Sequence, residues 1–244
     1  MNHNAIQYHE ARASRWEQNY ARSTYARRAE AFMAVIPTPQ HEREEWLDAG
    51  CGTGTLARLL ADRGYRVTAV DGSSGMVEAT RRLMQHGNYA VQCLQVADVA
   101  ELPFKDGSFD GVIFSSVLEY VAEPRKTLLE LARVLKQNGH LAISVPNRLA
   151  WPRQLQKVAY RVTTALGRTA WPPYLSISNN EFTMPECFRL LESCGFTPRS
   201  WRYYTPGLPA WAYKWRYAGT LMIIAAQKNA APAASVADTP AVYA

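Results

Sequence analysis

The chain has 244 residues, 48% hydrophobic and 20% charged, a composition that supports a full core and excludes a wholly disordered or collagen-like chain. It carries 27 Lys and Arg against 21 Asp and Glu; residues 148–216 hold ten basic and three acidic residues and the remainder 17 and 18, so one segment carries the whole excess of +6. Four cysteines (Cys51, Cys93, Cys187, Cys194) lack CxxC spacing, the N-terminus has no signal-peptide stretch, and no apolar run nears the ~18 residues of a membrane span, which point to a reducing, cytoplasmic setting.

In chain order, residues 5–36 read as helical, ended by Pro37 and Pro39. A short strand at 45–48 runs into the loop Ala49-Gly50-Cys51-Gly52-Thr53-Gly54, and a helix over 55–63 closes at Gly64. A strand at 65–70 ends at Asp71, a helix over 75–86 closes at Gly87, and strands follow at 91–96 and 109–115. A helix over 124–136 then turns at Asn138-Gly139 into a strand at 140–145. Strands alternating with helices mean βαβ units and a parallel sheet. After Pro146 the rhythm breaks: 147–180 is rich in Trp, Pro and Arg, 184–194 reads as a helix closed by Gly195, and 196–204 and 220–228 as the last two strands. The expected organisation is an N-terminal helical cap (1–40), a Rossmann-like core (41–146), a substrate lid insert (147–180), a completion of the sheet (181–229) and a disordered Ala/Pro-rich tail (230–244).

Parallel sheets bind ligands beyond the carboxyl ends of their strands. Four successive strands end on polar or glycine residues: the run 48–54, then Asp71, Asp98 and Ser115-Ser116, which should line one crevice. Glycines at 50, 52 and 54 permit positive φ and close backbone approach, and the helix behind them offers free N–H groups. The spacing is GxGxG, with Thr55 where GxGxxG would place its third glycine, which argues against a nicotinamide-dependent oxidoreductase. Asp48 ahead of the loop is unhelpful beside a pyrophosphate and suits a ligand with an ammonium group. Asp71 can take both hydroxyls of a ribose, or cap the next helix. Asp98 can accept from an adenine amino group with Val99 against the ring, or sit in a plain turn, and Met76 is an adenine contact or ordinary core.

The runs WLDAGCGTGTLARLLADRGYRVTAVDGSSGMVEAT, ADVAELPFKDGSFDGVIFSSVLEYV and LLELARVLKQNGHLAISVP, over about 45–146, resemble the class I S-adenosylmethionine-dependent methyltransferases, in particular the branch of the quinone-pathway and small-molecule enzymes. The resemblance implies an α/β fold with a seven-stranded, mostly parallel sheet whose last strand is antiparallel. It implies S-adenosylmethionine as cofactor, with Asp48, Gly50, Cys51, Gly52 and Gly54 at the methionine end, Asp71 and Gly72 at the ribose, Met76, Asp98 and Val99 at the adenine, and Ser115 alongside. Quinone O-methyltransferases carry a Glu-x-x-Glu-His cluster after the fourth strand; here Ser116 and Tyr120 flank a lone Glu119, so no metal is expected. A [DN]PP[YF] motif is absent as well, which lowers the expectation of a nucleic-acid substrate.

The sulfonium methyl of such a cofactor is already activated, so the protein mainly supplies alignment and desolvation, with a base if the acceptor is a hydroxyl. Glu119, Tyr120 and His9 are the candidate bases; Tyr20, Ser116, Trp151 and Tyr203 are candidate acceptor contacts; Tyr8, Trp16, Tyr20 and Arg27 are lid candidates. The expected activity is methylation of oxygen or nitrogen, with carbon behind, on a small aromatic or lipophilic molecule. The alternatives are a noncatalytic cofactor-binding protein or an RNA-directed methyltransferase. Residues 153–168 form an amphipathic basic helix, with Leu155, Val158, Ala159, Val162, Ala165 and Leu166 on one face and Arg153, Lys157, Arg161 and Arg168 on another. It can pack its apolar face on the sheet as a lid, touch anionic lipid peripherally, or meet nucleic acid, and the first is the leading expectation.

Overall fold

The computed structural model describes residues 3–13, 23–41, 44–168, 171–205 and 215–230. Strands β1 (Glu45–Ala49), β2 (Arg66–Asp71), β3 (Val91–Gln95), β4 (Phe109–Ser115), β5 (Leu135–Pro146), β6 (Phe196–Tyr204) and β7 (Leu221–Lys228) form one seven-stranded sheet in the order β3-β2-β1-β4-β5-β7-β6. Neighbours from β3 to β5 run parallel, and β7 lies antiparallel between β5 and β6. Helices α1 (His3–Glu10), α2 (Ser23–Met33), α3 (Thr55–Asp62), α4 (Ser74–His86), α5 (Pro124–Val134), α6 (Trp151–Ala165) and α7 (Met184–Ser193) complete the described elements, with 3-10 turns at Leu118–Tyr120 and Pro173–Ser176.

Both faces of the sheet are covered, which is why β1 and β4 read as apolar runs rather than as alternating strands. One core gathers Leu128 and Leu131 of α5 and Cys187 and Leu191 of α7 against the sheet. The other gathers Phe32 of α2 and Ala57 and Leu60 of α3 with Trp46. The chain runs outward from β1 through β2 to β3 and then returns to β4 on the other side of β1. That reversal opens a crevice between the ends of β1 and β4, where a doubly wound sheet takes its ligand.

Three local expectations change. The segment at 5–36 is not one helix: α1 gives way to a turn after Glu10 and α2 starts at Ser23. Helix α5 stops at Val134, because Leu135 is fully buried and pairs with Phe109; the register then jumps to Gly111 opposite His140, with Asn138 at φ 61° in the bulge between. Gly87 keeps a right-handed backbone after α4, and the positive φ falls on Asn88 instead, whose short amide side chain tolerates it.

Candidate functional site

The loop from β1 to α3 is shaped by backbone rather than by side chains. Gly50, Gly52 and Gly54 all have positive φ. A Cβ on Gly50 would overlap Val117, and one on Gly54 would lie 2.7 Å from Thr80. Asp71, at the end of β2, is tied into the same loop: its carboxylate accepts from Gly52 N–H and Ser73 N–H, each at 2.9 Å. Each of its oxygens keeps a second acceptor site, as a pair of ribose hydroxyls requires. The capping of α4 falls to Ser73, which accepts from Met76 N–H at 3.1 Å, so Asp71 is not its cap.

Asp48 stands out among the described residues. It is 1% exposed, and neither carboxylate oxygen has a hydrogen-bond partner. Burial, and then the neighbouring Asp71 charge, push its pKa up to about 7, which the Ala57 backbone offsets only in small part. An orphaned buried acceptor carries a penalty unless something pairs with it. Asp48 faces a cavity of about 580 Å³ that also takes in Gly50, Gly52, Asp71 and Met76, and an ammonium group there would supply the missing donors.

The same cavity continues under α1, α2 and α6. Ser116 closes β4 with φ 54°, a strained backbone for a serine; Ser144 holds it by accepting its N–H at 3.0 Å. Arg28 of α2 reaches in and donates to Ser115 Oγ at 2.7 Å and Ser116 Oγ at 2.8 Å. From α1, His9 stacks edge-on against Tyr120 with ring centroids 5.2 Å apart. Burial, with Arg12 adding to it, lowers the His9 pKa to about 4, so its imidazole is neutral at physiological pH. Burial also raises the Tyr120 hydroxyl well above its usual range, which keeps it a protonated donor.

Glu119 lies buried in the turn after β4. Burial raises its pKa, and the Arg153 guanidinium opposes that shift. Arg153 is itself 4% exposed. It bonds Glu181 at 2.6 Å and Ser178 Oγ at 2.9 Å, and it lies 3.8 Å from Glu119, to which Ser178 donates at 3.1 Å. Lys157 also pairs with Glu181. This network fastens α6 over the cavity, where Tyr174 donates to Gln156 at 2.6 Å on the inner wall.

Of the residues singled out from sequence, Asp48, Gly50, Cys51, Gly52, Asp71, Met76, Ser115, Ser116, Glu119, Tyr120, His9 and Tyr8 line this one cavity. Gly54, Gly72, Asp98 and Val99 do not. Gly54 packs on Thr80 and Gly72 under Ile6, Val99 is buried, and Asp98 accepts from Ala100 N–H at 3.0 Å. Two of the expected acceptor contacts lie away from this cavity. Trp151 is 54% exposed on the outside of α6, and Tyr203 packs against Gly219 and the core. Arg27 is exposed while its neighbour Arg28, about 100° further round the helix, enters the site. Trp16 and Tyr20 lie outside the described residues, as does the tail from 231.

The sequence did not single out Arg28, Gln156 or Tyr174, and it placed Arg153 on the wrong side of its helix. The one available signal was the phase of α6, in which Pro152, Gln156, Ala159 and Thr163 share a face with no charge. The expectation of a lid that packs its apolar face on the sheet is overturned in the same way. The apolar face of α6 does not pack on the sheet but faces solvent, because Glu119 and Glu181 draw Arg153 inward and so fix the rotation of the helix.

A methyltransferase domain family model matches residues 47–143. A demethylmenaquinone methyltransferase from Clavibacter sepedonicus is 47% identical over 100 residues, 41% of this chain and 40% of that protein. One of the same name from Tropheryma whipplei (strain Twist) is 31% identical over 175 residues, 68% of this chain and 72% of its own length. The chain thus spans well under half of the first of these relatives and most of the second. A putative methyltransferase solved with the Haloferax volcanii Trm112 methyltransferase activator shares the fold, with a TM-score of 0.68 at 21% identity over 91% of this chain and 97% of that one.

Proposed function

The chain belongs to the class I S-adenosylmethionine-dependent methyltransferases, and on that premise we propose that it moves the cofactor's methyl group to an oxygen or nitrogen of a small aromatic or lipophilic molecule. The observation that supports this most is that one cavity joins two unlike halves. One half has bare peptide and two acids, Asp48 and Asp71. The other has the rings of His9, Tyr120, Tyr174 and Pro152, against which an aromatic acceptor can pack, beside the charged Arg28, Glu119 and Arg153.

S-adenosylmethionine, when bound, supplies a sulfonium methyl already activated for displacement. Asp48 would hold the ammonium group and Asp71 the ribose hydroxyls, with the Gly50–Gly52 backbone admitting the ligand closely. The chain's remaining work is to align an acceptor, exclude water and take up one proton. α6, fastened by Arg153, shields the acceptor half. His9 suits the proton: its imidazole is neutral and it faces the cavity. A pKa near 4 is weak for a base, but an oxygen that gains a methyl becomes far more acidic as it does so, so a weak base suffices. Glu119 is engaged by Arg153 and Ser178, and its role is to position α6 rather than to accept the proton.

Incubating the protein with methyl-labelled cofactor and cell extract tests this. Label should enter a small species extractable into organic solvent. Label confined to protein or RNA, or none at all, would overturn it. For a hydroxyl acceptor, His9→Ala should lower kcat by about 10²–10⁴, the usual contribution of a positioned base.

A further inference from the structure

The outer side of α6 has no use in the site just described, yet among the described residues it gathers several of the large apolar side chains left exposed. Leu155, Val158, Val162 and Leu166 are 59%, 55%, 51% and 64% exposed and fall in one stripe at helical spacing. Trp151 stands at one end; Trp171, whose backbone N–H donates to Thr163 Oγ1, stands near the other, and both are more than half exposed. α6 contains no acidic residue. Arg161 flanks the stripe and Arg168 follows it, both exposed and without an ion-pair partner among the described residues.

We propose that this face of α6 docks on an anionic lipid surface, the stripe entering the headgroup boundary and Arg161 and Arg168 meeting acidic headgroups. Aliphatic residues between interfacial tryptophans, with cations at the rim, are what such a surface accommodates. Charge decides against a second copy, and the aliphatic stripe against a nucleic acid. Residues 148–216 carry seven more basic than acidic residues, so a second copy placed face to face would bring like charges together. A nucleic acid would gain nothing from Leu155, Val158 and Val162, which can neither stack on bases nor bond to them. The inner face of the same helix, at Pro152 and Gln156, lines the cavity, so docking sets the acceptor chamber one helix away from the bilayer. Docking itself requires neither cofactor nor acceptor, and it stands or falls separately from the methyl-transfer proposal.

Vesicle co-sedimentation of the full chain at low salt tests the proposal. The protein should pellet with vesicles containing phosphatidylserine, less with pure phosphatidylcholine, and less again as salt rises. Arg161→Ser should weaken binding about fivefold, as removal of one basic residue near such a surface does. The triple variant Leu155→Ser/Val158→Ser/Val162→Ser should abolish pelleting while its melting temperature and S-adenosylhomocysteine affinity stay at wild-type values, which separates lost docking from lost folding. Failure of the wild type to pellet with phosphatidylserine vesicles overturns the proposal, as does a triple variant that pellets normally. A wild-type dimer that the triple variant converts to monomer, without vesicle binding, would assign the stripe to a contact between copies instead.

Discussion

Replacing Asp48 by Asn should move stability and affinity in opposite directions. The carboxyl is buried and unpartnered, and its pKa rises from 3.8 to about 7. Its protonated form is therefore favoured by the fold. In the unliganded protein the stabilisation is full below about pH 4, where both folded and unfolded chains hold the proton, and is lost as pH rises towards 7. The shift corresponds to at most about 4 kcal/mol at neutral pH. The amide keeps the shape and removes the charge, so Asp48→Asn should raise the melting temperature at pH 7.5. The rise is on the order of 2–4 °C for each kcal/mol recovered in a chain of this size. It should also flatten the pH dependence between pH 4 and 7. Affinity should go the other way: losing a charged hydrogen bond to the ligand's ammonium costs about 1.5–3 kcal/mol, roughly 10- to 150-fold in Kd. Thermal melts across pH, with and without S-adenosylhomocysteine, read both effects. A variant that is no more stable than wild type at neutral pH, or that binds S-adenosylhomocysteine equally well, would refute the assignment of Asp48 as the ammonium's partner.

Three further outcomes follow from the same geometry. Gly50→Ala should destabilise more than Gly52→Ala in a thermal melt: both force alanine into a left-handed backbone at about 1–2 kcal/mol, but only at residue 50 does the new Cβ meet Val117. His9 has a pKa lowered from 6.5 to about 4, so the fold should lose up to about 3 kcal/mol as pH falls through that interval, and His9→Gln should remove this slope from acid unfolding curves. Arg153→Met should destabilise by about 3–5 kcal/mol because it strands buried Glu119, while Glu181 keeps Lys157, and adding Glu119→Gln should recover part of the loss in chemical denaturation.

The sheet was legible because its signals are local and repeated. The apolar runs of β1, β2 and β4, each ending on an acid or a serine, announce buried parallel strands, and the glycines at 50, 52 and 54 announce a loop approached by a ligand. The same signals brought Asp48, Asp71 and Met76 to one crevice. The acceptor half was less legible because it depends on the phase of helices far apart in sequence. Nothing local distinguishes Arg27 from Arg28; their difference lies in how α2 sits on the sheet. In α6 the usual preference for burying aliphatic residues gave the wrong face, since satisfying the charges of Glu119 and Glu181 with Arg153 outweighed covering Leu155 and Val158. β5 begins early for a similar non-local reason, the pairing of Leu135 with Phe109.

The most direct measurement is a crystal structure of the protein with S-adenosylhomocysteine. The ligand's amino group should lie within hydrogen-bond distance of Asp48, its ribose hydroxyls at Asp71, and its sulfur should be turned towards the half of the cavity that holds His9 and Tyr120. A ligand lying elsewhere, or one whose sulfur faces away from His9 and Tyr120, would contradict the account.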